Sequence, residues 1–131
     1  MPHDELAKHW HEPKAGENAG FGKFSRPAMP YDRFMEAEGV PVYRSIGCRT
    51  VLDLPMAPWK RLGGRGTYIQ LYGTEGLWGM YVVEVPPGGA LNIERHVYEK
   101  ICFVVEGRGS TEVWQEGQAK KQTFEWQKGS L

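Results

Sequence analysis

The chain has 131 residues, and its 16 Lys and Arg are balanced by 16 Asp and Glu, for a formal net charge of zero. Nucleic acids and anionic membranes are bound mainly through clustered positive charge, so this balance gives no reason to expect either as a partner. No apolar run approaches the roughly 20 residues that cross a bilayer as a helix.

The length suits one domain with a modest core. The opening residues, MPHDELAKHW, are polar and hold no apolar h-region, which argues against a secretory signal. Cys48 and Cys102 are too few for a disulfide framework, so free thiols in a cytoplasmic protein are expected. Seventeen Gly and nine Pro imply many turns and favour a β-rich chain over a helical one.

Residues 1 to about 30 show little periodicity. Their stretch AGENAGFGKFSRPAMP reads as an irregular arm with Phe21 and Phe24 as anchors. His9-Trp10-His11 imitates a ligand pair but has no further ligand nearby, so a solvated terminus is the better reading. YDRFMEAE, from Tyr31 to Glu38, is a short helix candidate stopped by Gly39 and Pro41, with Phe34 and Met35 packing on a neighbour. VPVYRSIGCRTVLDLP then offers one or two extended pieces. Pro58 to Gly66 is basic and glycine-rich but lacks the Lys-Ser/Thr ending of a phosphate loop, so a plain loop is expected.

From Thr67 the strand signals become regular. TYIQLYG, LWGMYVVEV, KICFVVEG, GSTEVWQ and KQTFEWQ read as five strands separated by Gly- and Pro-rich turns. Such spacing predicts an antiparallel sandwich or barrel. On the first strand, Ile69 and Leu71 form the expected core face, leaving Tyr68, Gln70 and Tyr72 to line a pocket or meet a partner. Trp78, Tyr81, Phe103, Trp114, Phe124 and Trp126 are expected mostly in the core.

Within this region, Glu94 and His96 stand two residues apart and project to one side if the backbone is extended. The stretch Gly88 to Gly107, GGALNIERHVYEKICFVVEG, resembles the first motif of the cupin superfamily, G-x5-H-x-H-x3,4-E-x6-G. Gly88 takes the first glycine, Glu94 the first His, His96 the second His and Gly107 the last glycine. Counting back from Gly107, Lys100 stands at the motif's Glu position and Glu99 one place early. The resemblance continues through EGRGSTEVW and FEWQKGSL and covers about half the chain. It implies an all-β, double-stranded β-helix (jelly roll), with an N-terminal arm over residues 1–65 and the first part of a barrel over 66–131. The chain stops at Leu131, where the family's second motif, roughly G-x5-P-x-G-x2-H-x3-N, would follow. A barrel completed by a second chain, or a homo-oligomer such as a dimer, is therefore expected.

The resemblance also implies a divalent metal (Fe, Mn, Ni or Zn) held by Glu94, His96 and Glu99, beside a small organic ligand. Oxygenase, decarboxylase or isomerase chemistry on a small organic acid would follow. Glu99 has the opposite strand parity to Glu94 and His96 and would need a bulge to turn inward. Lys100 has the right parity, but its ammonium would repel a cation and instead pair with Glu94. That pairing gives the alternative, a metal-free cupin serving as a non-catalytic ligand-binding or assembly module. Cys102 shares the parity of His96 and is expected to face inward as a small buried hydrophobe.

Overall fold

A computed structural model describes residues 29–131 and divides the chain into two units, Met1–Glu94 and Arg95–Leu131. The arm residues Phe21 and Phe24 and the His9-Trp10-His11 run lie outside the described residues. The described chain is β-rich with one short α-helix.

In the first unit, helix α1 spans Pro30–Ala37. Pro30 presets the helical φ at the first turn, where its missing N–H costs nothing. The Asp32 carboxylate accepts a hydrogen bond from the Met29 backbone N–H at 2.8 Å, tying down the helix start. Gly39, in the left-handed region at φ 69°, turns the chain out after Glu38. Strands β1 (Val42–Ser45), β2 (Ala57–Trp59), β3 (Gly64–Leu71) and β4 (Met80–Glu84) form one mixed sheet.

β3 is its centre. β1 runs parallel along Tyr68–Leu71, and β2 pairs antiparallel with Gly64–Gly66. β4 lies antiparallel over Arg65–Ile69. These registers put β1 and β2 end to end on one edge of β3 and β4 on the other. The sheet is therefore mixed where a purely antiparallel one was expected. The Pro41 carbonyl marks the entry to the parallel pairing, accepting from the Tyr68 N–H at 2.8 Å and the Thr67 hydroxyl at 2.9 Å. The expected plain loop at Pro58–Gly66 is instead the β2–β3 hairpin, with Gly63 N–H donating back to the Trp59 carbonyl at 2.8 Å.

A strand flanked on both edges can bury both faces, and β3 does. Thr67 and Ile69 are buried on one side, Tyr68 and Gln70 on the other. The Tyr68 face is the core rather than a pocket wall: Met35 of α1, Val40, Trp59, Leu62 and Tyr68 form one buried cluster, flanked by Tyr31, Tyr81 and Val83. Trp59 meets Tyr68 edge-on with ring centroids 4.8 Å apart, and Tyr81 at 5.3 Å. Gly66 makes room for this. A Cβ there would fall 2.6 Å from the Trp59 ring and from the Val82 carbonyl oxygen.

In the second unit, β5 (Arg108–Val113) and β6 (Gln122–Gln127) form a two-stranded antiparallel ribbon. The expected strand at KICFVVEG is absent. Residues 85–107 carry no regular strand, and within KICFVVEG Val104 exchanges backbone hydrogen bonds with Ser130 and Gly129 at 2.9 and 2.8 Å. A β-rich sequence needs a ladder partner, and no other described segment supplies one to Ile101–Val105. Ile101 and Phe103 are accordingly 83% and 62% exposed. Phe124 and, in the first unit, Trp78 are also exposed rather than core. No helix among the described residues is long and apolar enough to cross a membrane.

Candidate functional site

The densest polar cluster in the first unit surrounds Arg61, in the β2–β3 turn. Its Nε donates to Glu38 Oε2 at 2.5 Å and its Nη1 to Glu94 Oε1 at 3.0 Å. Trp59 Nε1 donates to the same Glu38 oxygen at 2.5 Å, and the Tyr81 hydroxyl to Glu94 Oε2 at 3.4 Å. The guanidinium also lies 5.4 Å from the centre of the Phe34 ring and 5.5 Å from that of Trp59. Both are cation–π distances. One side chain thus ties the end of α1, the β2–β3 hairpin and the segment after β4 together.

Local sequence explains how each group arrives. Glu38 follows the last turn of α1 and is held there by the Gly39 exit. Gly63 allows the tight turn that carries Arg61. Asn92 fastens the third arm: its backbone N–H donates to the Leu62 carbonyl at 2.7 Å, and its Nδ2 to the carbonyls of Arg61 and Lys60 at 3.0 and 3.3 Å. Glu94, two residues on, is thereby delivered to Arg61.

The electrostatics follow from this packing. Burial works to lower the Arg61 pKa, but its hydrogen bonds to Glu38 and Glu94 prevail and hold it above the ordinary arginine value. Burial raises the Tyr68 pKa, and the Glu38 charge adds to that rise while neighbouring Arg61 opposes it. The Tyr68 hydroxyl is enclosed beside Arg61 and has no hydrogen-bond partner at close range among the described residues.

The residues expected as ligands stand as follows. Glu94 belongs to the first unit and is engaged by Arg61 and Tyr81. His96 and Glu99 belong to the second unit, and both are exposed. The His96 ring stacks on Tyr98 at 4.5 Å, with Nδ1 2.9 Å from the Tyr98 carbonyl oxygen. Glu94 and His96 do not share a strand face, because Leu91–His96 forms no strand. Arg95 pairs at the surface with Glu116 at 3.0 Å. Cys102 is exposed, not an inward-facing hydrophobe, since the strand that would have turned it inward is missing. Both motif glycines, Gly88 and Gly107, adopt positive φ (68° and 86°), so the motif's glycine positions coincide with turns that favour glycine.

Among the described residues no three His, Cys, Asp or Glu side chains group closely enough to hold a metal ion. Sequence reasoning passed over Arg61 and Glu38. The signal for Arg61 was present, a single Arg between a Trp and a Gly-Gly turn, but its partners are distant in sequence and only the fold unites them. Compared with family models, curated proteins and solved structures, the chain gives no match.

Proposed function

We propose that this chain is a cupin-like jelly-roll module that binds a small organic ligand without a metal. One observation carries the reading: Glu94, at the position of the motif's first metal-binding His, is ion-paired to Arg61 at 3.0 Å. A divalent cation bound there would sit against a guanidinium and would have to displace it from two carboxylates at once. Arg61 thus serves as an internal cation for Glu94. The ligand class comes from the resemblance alone, and catalysis forms no part of the proposal.

The metal-dependent alternative, an oxygenase, decarboxylase or isomerase, has one observation in its favour. His96 is engaged through Nδ1, which leaves Nε2 as the ring nitrogen for a ligand bond. Its chemistry would be Lewis-acid or oxygen-activating at a site using His96 and Glu99. Metal analysis of the purified full chain after exposure to Fe, Mn, Ni and Zn salts separates the two. Substoichiometric metal of every kind is the expected result. Stoichiometric binding that His96→Ala abolishes would overturn the metal-free reading.

A further inference from the structure

The β5–β6 ribbon has a feature that the ligand question does not touch. β6 is the only described strand that pairs with β5, so among the described residues the second edge of β5 has no strand beside it. All six β5 residues are exposed, and no residue of Arg95–Leu131 is fully buried. An isolated two-stranded ribbon is marginal in water, and stability comes with further strands and an apolar face.

The cross-strand register divides the ribbon into two unlike faces. Gly109, Thr111 and Val113 stand opposite Trp126, Phe124 and Gln122, giving one mainly apolar face. Arg108, Ser110 and Glu112 stand opposite Gln127, Glu125 and Thr123, giving a polar one. Trp126 lies over Gly109, where a Cβ would collide with its ring, and its Nε1 donates to Thr111 Oγ1 at 3.0 Å.

We propose that the open edge of β5 is a self-association site, where β5 of a second copy of this chain adds antiparallel. The argument is charge complementarity. A two-fold axis through Ser110 places Arg108 of each copy opposite Glu112 of the other, on the same face, so the match occurs twice. The β6 edge offers no such match, since Glu125 is its only charged residue. Pairing through β5 creates a four-stranded sheet in which the apolar faces of both copies lie on one side and merge. β5 contains neither proline nor positive-φ glycine to block the added ladder. Glu112 already meets Lys121 at 2.9 Å within its own ribbon, so Arg108 is the cleaner residue to change.

Sedimentation velocity of the full chain over a concentration series tests this. A reversible dimer is expected for the native sequence. Arg108→Glu puts like charges together at both ends of the pairing and should weaken the dimer about tenfold, as expected when two cross-strand pairs turn from attraction to repulsion. The double exchange, Arg108→Glu with Glu112→Arg, restores the match and should restore dimerisation. That recovery would not occur if the single variant had merely misfolded. A native chain that stays monomeric, or a dimer indifferent to Arg108→Glu, would overturn the proposal.

Discussion

The two units reach a β-rich structure by opposite means. Met1–Glu94 builds its sheet around a strand with neighbours on both edges, and the aromatic cluster under it excludes water. Arg95–Leu131 has one hairpin, in which each strand has a single partner. Propensity does not separate them, since Ile101–Val105 is as β-prone as Thr67–Leu71. What separates them is the number of ladder partners. Strand content alone therefore says little about where stability resides.

The largest test of that contrast compares equivalent truncations. Trp59→Ala removes the centre of the first unit's cluster and should cost about 3–5 kcal/mol in urea unfolding, whereas Phe124→Ala on the exposed ribbon should stay within about 0.5 kcal/mol. Amide exchange sharpens the same point. At concentrations where the chain is monomeric, the β3 amides should exchange only on global unfolding, and those of β5 through small local openings. Equal protection in both would break the comparison.

Next in size is the Arg61 hub. Arg61→Met leaves the carboxylates of Glu38 and Glu94, 14% and 18% exposed, without their shared cation. A fully buried broken pair costs about 3–5 kcal/mol and an exposed one under about 1; with Arg61 36% exposed, about 2 kcal/mol is expected. Arg61→Lys should recover only part, because an ammonium cannot serve both carboxylates in the planar fork. Urea midpoints of the three proteins measure this, and a fully stable Arg61→Met would deny the hub its structural role.

The smallest effect belongs to Tyr68. Its hydroxyl has no close hydrogen-bond partner among the described residues, so Tyr68→Phe should be close to neutral at pH 7. At alkaline pH the variant should differ. Above the ordinary tyrosine value of about 10, the unfolded chain releases the phenolic proton while the folded chain, its pKa raised, retains it. The unfolded state then binds fewer protons, so stability falls as pH rises. Tyr68→Phe should remove that part of the fall in thermal melts taken across this range. Identical alkaline profiles would show that Tyr68 titrates normally.

Several local features of both units were legible in the chain. The α1 stop at Gly39 and Pro41 has a local cause, and so do the turns before β4 and between β5 and β6. The parallel pairing of β1 was not legible, because nothing in VYRS names a partner across the intervening hairpin. Tyr68 was assigned to the wrong environment for a related reason. Alternation distinguishes two faces only when one of them is wet, and β3 is buried on both. At the site, Glu94 stood out by motif spacing, but its partner Arg61 sits in a turn that sequence reads as plain loop. The KICFVVEG expectation failed because propensity measures willingness to pair and not the presence of a neighbour.

The pairing of β1 with β3 has a consequence for how the first unit folds. β2, β3 and β4 are joined by short connections and can zip as successive hairpins, with little chain entropy lost per contact. β1 must close a longer loop to align Val42 with Tyr68, and it does so parallel to a strand that the hairpins have already formed. Contacts of this order form late. Substitutions in the β2–β3 hairpin should therefore slow folding, while those in β1 should chiefly speed unfolding. The Pro41 carbonyl, which ties Thr67 and Tyr68 to the start of β1, is then a final fastening and not part of the nucleus.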